Sequence, residues 1–350
     1  MKKSWQIGGA FVGLIVGAGF ASGQEIMQYF TSFGLYGIVG GIVATVAFAF
    51  LGMSLAQLGT DLQTTSHKEV IYHIGGRYIG VILDIVITFF LFGVAVVMFA
   101  GSGSTFQQMF GINPMVGSIF MVLITILTLL LNVKNIINII ALVTPYLMGI
   151  IFIILIYSIF TMDLTIAEQN ALAKEQTSAA SNWLMGALLY VSYNIAAGAA
   201  MLIVMGGTVK ERKVAGIGGL LGGLMLGALI ILINIAMFVK MDVVGGVAMP
   251  TLELAKQIHP VVGVLMSIAL LGMMYNTAVG MFYAFAVRFI APEHKYFKLG
   301  IVIIGLLGFA ASLVGFTTLV GKVYSTMGYL GFALIIAVMM SWLRKPKDLS

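Results

Sequence analysis

The chain has 350 residues, of which 61% are hydrophobic and 9% charged, and its mean hydropathy is +1.10. Soluble domains carry about 25% charged residues, so this composition excludes a soluble globular protein. The net charge of +6 does not indicate nucleic-acid binding, because no basic run exceeds a few residues and basic loops are usual in membrane proteins. The absence of cysteine excludes disulfides, thiolate metal sites and cysteine nucleophiles.

Apolar segments of membrane length follow one another along the chain. A helix needs about 20 apolar residues to cross a bilayer, whereas a barrel strand needs about ten. We therefore predict an all-α integral membrane protein with ten transmembrane helices. The predicted spans are 6–30, 35–58, 78–106, 115–132, 136–160, 182–206, 214–239, 261–288, 298–317 and 321–343.

The basic residues are unevenly distributed between the predicted loops. If the first span is uncleaved and the N-terminus lies inside, 14 of the 18 Lys and Arg residues fall on the cytoplasmic side. This bias predicts that both termini are cytoplasmic. The four residues on the opposite side, called the outer side below, are Lys174, Lys240, Lys256 and Lys322.

The first predicted span is interrupted near its centre. Glycine weakens helices and buried polar groups are costly in lipid, so a continuous membrane helix has no need of such a run. A helix broken at mid-membrane instead frees N–H and C=O groups for a ligand or an ion. Helix packing explains the glycines but not the polar residues. The residues of the interruption are Gly17, Gly19 and Gly23, with Ser22, Gln24 and Glu25.

The polar segment 161–181 divides the ten spans into five and five. We expect a first repeat at 1–160, a connecting segment at 161–181 and a second repeat at 182–350. An odd number of spans makes such a repeat inverted. The sixth span corresponds to the first, and we expect it to break at mid-membrane, near 192–198.

A second outer segment, 240–260, contains a stretch at 250–258 with the period of a short amphipathic helix. Two interpretations stay open for it at this point. It is either a surface cap or an outer lid over a binding site.

The motif Gly17-Ala-Gly-Phe-Ala-Ser-Gly-Gln-Glu25, with Tyr193-Asn194 and the five-plus-five arrangement, resembles the amino acid/polyamine/organocation (APC) transporter superfamily. The resemblance implies the fold of the leucine transporter (LeuT) and a bacterial cell membrane location. Within this superfamily the sequence resembles the YkvI-like bacterial membrane proteins, which are regarded as candidate amino-acid permeases. The architectural likeness covers nearly the whole chain, whereas the specific motif is the first span, with support from the sixth and eighth.

The free helix ends at the break are expected to bind substrate. The N–H groups of the second half-helix suit a carboxylate, and the carbonyls of the first suit a cation or ammonium group. No Lys or Arg lies at the predicted mid-depth, which favours a zwitterion or small amine over a multiply anionic substrate. The candidate substrate-binding residues are Gly17, Ala18, Gly19, Phe20, Ser22, Gly23, Gln24, Phe92, Tyr193, Asn194 and Tyr275, with Tyr190 and Tyr324 as further candidates for the pocket wall.

A sodium site is implied by the same resemblance. In sodium-coupled relatives the ion lies between first-span carbonyls and eighth-span side chains, and oxygen ligands suit a hard cation. Asn276 departs from the usual hydroxyl residue, so a helix-packing hydrogen bond is the alternative. The implied ligands are Gly13, Val16, Met273, Asn276 and Thr277.

Two acidic residues fall within predicted spans, and intramembrane carboxylates are functional candidates by default. Glu25 is a candidate for ion coupling as a proton carrier, and its alternative is a structural brace against the sixth span. Asp84 is either a proton carrier or the partner of Arg77 or Lys134.

These features predict a secondary active transporter, a symporter for an amino acid or related small amine driven by a sodium or proton gradient. It would work by alternating access, with spans 1, 2, 6 and 7 moving against the rest. No nucleophile–base pair or metal constellation indicates an enzyme. We expect no cofactor beyond the coupling ion, and no partner beyond the substrate and the bilayer. The alternative is a nutrient-sensing receptor that binds without transport, as in germinant-receptor subunits that resemble this superfamily.

Overall fold

A computed structural model of the chain describes residues 2–63, 67–131 and 143–343. Nearly all of these residues are helical, with a 3₁₀ turn at Thr31–Phe33 and a π-turn at Val320–Tyr324. The α-helices are α1 Lys2–Ile15, α2 Ala18–Ala21, α3 Gln24–Tyr29, α4 Leu35–Leu62, α5 His67–Phe110, α6 Pro114–Leu131, α7 Val143–Phe160, α8 Ile166–Lys174, α9 Trp183–Gly207, α10 Arg212–Phe238, α11 Met241–Val244, α12 Pro250–Ile258, α13 Pro260–Phe289, α14 Phe297–Ser312, α15 Phe316–Leu319 and α16 Ser325–Leu343.

The prediction of a multi-pass helical membrane protein is confirmed. Within the described residues, six helices are long and apolar enough to cross a membrane, or seven if α9 is counted across a bend. Two shorter apolar helices, Gly149–Phe160 and Phe297–Ser312, lie in the fifth and ninth predicted spans. Each predicted span contains a helix, while the ten crossings, the inverted repeat and the two repeat domains stay predictions.

The long helices pack in two groups. Helices α1, α4, α9 and α10 contact one another, and α5, α6, α13 and α14 form the second group. The first group corresponds to spans 1, 2, 6 and 7. Its contacts depend on glycine: a side chain at Gly219 of α10 would collide with the backbone of Gly52 in α4. Small residues at such a crossing let the two backbones approach closely.

The interruption of the sixth span lies elsewhere than predicted. Residues 192–198 are helical, so the break expected there, and the placement of Tyr193 and Asn194 at it, are wrong. The amide nitrogen of Asn194 donates to the carbonyl of Tyr190 at 2.9 Å, so this polar side chain is satisfied within its own helix. The helix bends instead by 53° between Trp183–Ala199 and Met201–Gly207. The bend follows Gly198, and glycine weakens a helix.

Candidate substrate site

The first span is broken at the predicted position. Helix α1 ends at Ile15, and the N–H of Gly17 donates to the carbonyl of Ile15 at 2.8 Å instead of continuing the helical ladder. The backbone at Gly17 is extended, with φ −103° and ψ −174°. The chain then forms the single turn α2, whose first N–H groups have no partner within that turn. The break thus exposes backbone groups near Gly17, as the sequence predicts.

A second break, between α2 and α3, depends on Ser22 and Gly23. The Ser22 hydroxyl donates to the carbonyl of Gly19 at 2.7 Å and accepts the N–H of Gln24 at 3.2 Å, so it ends one helix and begins the next. Gly23 has a φ of 80°, a conformation that favours glycine. The span therefore has two breaks that isolate one turn, where the sequence predicts one.

The broken span lies where the two helix groups meet. Its middle turn, α2, packs against α5 and α13, the third and eighth spans. Its outer part, α3, packs against α9, α10 and the π-turn of the tenth span. The third, sixth, eighth and tenth spans, which carry the expected residues of the pocket wall, therefore all reach this region.

Helix α12 covers the second break from the outer side. The hydroxyl of Thr251 donates to the carbonyl of Ala21 at 2.6 Å, and its N–H donates to the carbonyl of Ser22 at 3.1 Å. In the orientation that satisfies both ends, the Gln24 amide donates to the carbonyls of Val247 and Ala248 at 3.2 Å. These contacts support the lid interpretation of 250–258 over that of a surface cap.

Helix α12, called the lid below, is also fixed to the third span. The side chain of Gln108 donates to the carbonyl of Met249 at 2.9 Å and accepts the N–H of Met249 at 2.9 Å. It also donates to the carboxylate of Glu253 at 3.0 Å. Sequence analysis missed Gln108 and Thr251, because no local pattern marks either residue as a partner of the break.

Replacing Thr251 by valine is expected to loosen this cover. Valine keeps the shape of the side chain but leaves the buried carbonyl of Ala21 without its hydroxyl donor, at a cost of about 1–3 kcal/mol. We expect faster hydrogen exchange of the backbone amides of 18–29, measured by mass spectrometry on the purified protein. The control is Thr326→Val, since the exposed Thr326 bonds only to Lys322 of the same span. Equal exchange in the two variants would contradict the docking of α12 on the break.

Glu25 lies buried in the first turn of α3, directly after the second break. Its carboxylate accepts the hydroxyl of Tyr193 in α9 at 2.5 Å. On its other side the carboxylate lies so close to Gly19 that a methyl group at Gly19 would overlap it. The contact with Tyr193 agrees with the predicted brace against the sixth span, and the position between two helix groups agrees equally with ion coupling.

Four tyrosines form the surroundings of Glu25, and we call them the tyrosine cluster: Tyr29, Tyr190, Tyr193 and Tyr324. All four are buried. The ring of Tyr193 stacks on that of Tyr324 with centroids 4.9 Å apart and lies 5.3 Å from that of Tyr190 and 5.7 Å from that of Tyr29. The Tyr29 hydroxyl is hydrogen-bonded to Ser325 at 2.9 Å. Sequence analysis missed Tyr29 because it ends a short helix outside the interruption.

Two predicted wall residues face other helices. Tyr275 is hydrogen-bonded through its hydroxyl to Thr128 of α6 at 2.5 Å. The ring of Phe92 packs on that of Phe285 of α13, with centroids 5.1 Å apart. Neither contact involves the tyrosine cluster.

The residues of the implied sodium site lie on α1, at the first break and on α13. Met273 is buried, and Asn276 and Thr277 are half-buried on α13, the helix that packs against α2. Gly13 lies one turn before the first break, and no atom lies within 4 Å of where its side chain would be. Val16 is buried at the break. The side chain of Asp84, like Arg77 and Lys134, lies outside the described residues, so its role stays a prediction.

Comparison with known sequences finds two similar proteins, both from Bacillus subtilis (strain 168). The uncharacterized membrane protein YkvI is 25% identical over 347 residues, which cover 95% of this chain and 94% of that protein. The uncharacterized protein YyaD is 25% identical over 329 residues, which cover 94% of each chain. No family model matches the sequence.

Two solved structures show the fold. The Eremococcus coleocola manganese transporter, in complex with an aromatic bis-isothiourea substituted compound, matches with a TM-score of 0.59 and 15% identity over 97% of this chain and 78% of its own. The inward-facing conformation of Mhp1 matches with a TM-score of 0.65 and 13% identity, over 97% of this chain and 75% of its own. The chain has their LeuT-like fold. This confirms the fold that the resemblance implies.

Proposed function

We propose that the protein is a secondary active transporter for an amino acid or related small amine, driven by a sodium or proton gradient. The observation that carries the proposal is the doubly broken first span, whose buried Glu25 is bound by Tyr193 of the sixth span. Broken helices that expose backbone groups at the junction of two helix groups are the usual substrate and ion sites of such transporters.

The chemistry of the site favours an organic substrate. The neighbouring structures include a manganese transporter. In the described part of this chain, no group of three or more His, Cys, Asp and Glu residues could hold a metal ion. The tyrosine cluster and Glu25 provide aromatic faces and a carboxylate, which suit a substrate with a positively charged nitrogen.

The two helix groups supply the parts for alternating access. The lid α12 and the preceding loop hold the outer ends of the first and third spans together. Rocking of α1, α4, α9 and α10 against α5, α6, α13 and α14 would require Thr251 and Gln108 to release these contacts. Movement of this kind opens a central site to one side at a time.

Transport by the purified protein in liposomes tests the proposal. A thermal-shift screen of amino acids and amines, with and without sodium and across pH, selects the ligand. We expect proteoliposomes to accumulate the labelled ligand above protein-free liposomes when a sodium or proton gradient is imposed. A receptor would bind the ligand without accumulation, and that result would overturn the proposal.

A variant in the eighth span tests whether sodium is the coupling ion. If sodium binds at the site implied on α13, Thr277→Val is expected to raise the sodium concentration needed for half-maximal uptake, because a hydroxyl ligand is lost. The matched control is Thr326→Val in the tenth span. Uptake that is independent of sodium would contradict the sodium site and leave proton coupling.

A further inference from the structure

Glu25 has no cationic partner among the described residues. A buried carboxylate is costly unless a positive charge or a proton neutralises it. The described side chain that donates a hydrogen bond to it is Tyr193, through a neutral hydroxyl. Glu25 therefore requires either a proton or a bound cation. The described ion pairs all lie elsewhere, and they are Arg212–Asp61, Lys240–Asp163 and Lys256–Glu253.

The tyrosine cluster surrounds this carboxyl with the chemistry of a cation site. Aromatic ring faces attract ammonium ions, including quaternary ones, by their quadrupole. A phenol hydroxyl can donate to a carboxylate or accept from an ammonium N–H, so Tyr193 suits both states of the site. The rings come from three spans, through Tyr29, Tyr190 with Tyr193, and Tyr324.

The carboxyl of Glu25 also lies beside the broken backbone, near which a substrate carboxylate was expected. It lies against Gly19 in α2, whose backbone begins at the first break. A second carboxylate at this point would be repelled by the first. The substrate class that fits is therefore an amine without a required carboxylate.

We propose that Glu25 carries either a proton or the positively charged nitrogen of an amine, never both, and that the protein exchanges protons for an organic monocation. This inference rests on the proposed transport function and replaces symport by exchange. When the ammonium ion enters, the O–H bond of the carboxyl breaks and its proton leaves to water. One positive charge replaces another, so the exchange is electroneutral.

Among the described residues, the titratable groups that lie near Glu25 are phenols. They belong to Tyr190 and Tyr193 of α9, Tyr324 of the π-turn, and Tyr29 of its own helix. A phenol keeps its proton near neutral pH, so Glu25 is the group of this set that exchanges one.

The test uses choline, because a quaternary ammonium carries no proton of its own and does not cross the bilayer as a neutral base. We expect the wild-type protein in weakly buffered detergent solution to release about one proton per choline bound, seen with a pH indicator. Proteoliposomes whose interior is about one pH unit more acidic should accumulate labelled choline about tenfold over protein-free liposomes, because the exchange stops when the choline ratio equals the proton ratio. Glu25→Gln should lose both effects, and Glu175→Gln, an exposed carboxylate of the outer segment, should keep both.

The outcomes separate this inference from the proposed function. If a zwitterionic amino acid is accumulated and choline is neither bound nor accumulated, the transport function stands and the inference is wrong. Choline binding without proton release, or choline uptake driven by an acidic exterior, also overturns it. If no tested ligand accumulates under any gradient, the proposed function itself fails. The proton release is measured on the wild type, so the test does not depend on the folding of Glu25→Gln.

Discussion

Gly219→Ala is expected to destabilise the protein strongly, because the contact it breaks is between backbones. A methyl group at Gly219 of α10 would overlap the carbonyl of Gly52 in α4. The reverse contact is also tight, since a methyl group at Gly52 would lie 2.6 Å from the carbonyl oxygen of Gly219. Neither backbone can move as a side chain would, and overpacking of this kind costs about 1–3 kcal/mol or more.

The measurement is the thermal midpoint of the purified protein in detergent, followed by loss of the monodisperse peak in size-exclusion chromatography. Gly280→Ala is the matched control, because no atom lies within 4 Å of where its methyl group would be. We expect a clear drop for Gly219→Ala and none for Gly280→Ala. Close backbone approach is what holds helices together in lipid, where burial of apolar surface gives little. Equal midpoints would contradict the close crossing of α4 and α10.

The sequence predicts the helices and the first break because both depend on local properties. A block of about 20 apolar residues forms a helix wherever it lies in a bilayer. Glycine beside buried polar residues interrupts such a helix regardless of its neighbours, and the break at Gly17 follows. The amphipathic period of Pro250–Ile258 likewise gives the bounds of α12.

The bend of the sixth span could not be located in this way. Asn194 stands out as polar in an apolar run, but its amide bonds to the carbonyl of Tyr190 one turn earlier. A polar residue that is satisfied within its own helix leaves that helix intact. The bend instead follows Ala199, where the sequence shows only small residues.

The composition of the site also depends on long-range packing. Tyr29, Tyr190 and Tyr324 come from three spans, and only the crossing of those spans brings their rings together. Tyrosine in a membrane span is more often a packing residue than a binding residue, so none of these three tyrosines marks a site by itself. Glu25 differs, because a carboxyl at this depth requires a partner and therefore points to function from the sequence alone.

Gly19→Ala is expected to slow transport strongly while leaving the protein folded. A methyl group at Gly19 would overlap Oε1 of Glu25, which is the end of a flexible side chain, so the carboxyl moves and the backbone stays. Movement of the carboxyl breaks its 2.5 Å hydrogen bond with Tyr193 and takes it out of the tyrosine cluster. A displacement of about 1 Å at a reacting group can cost on the order of 100-fold, and we expect a loss of 10- to 100-fold in ligand uptake, roughly.

Proteoliposome uptake and the thermal midpoint of the same preparation measure the two effects together. Gly9→Ala in α1 is the control, since no atom lies within 4 Å of its methyl position and it should transport as the wild type does. Shortening the acid in the double variant Gly19→Ala/Glu25→Asp makes room for the methyl group, and we expect it to recover part of the lost uptake. A Gly19→Ala variant that transports normally would show that the position of the Glu25 carboxyl does not matter for transport. In that case the carboxyl is a structural brace, and the coupling group must be sought on another span.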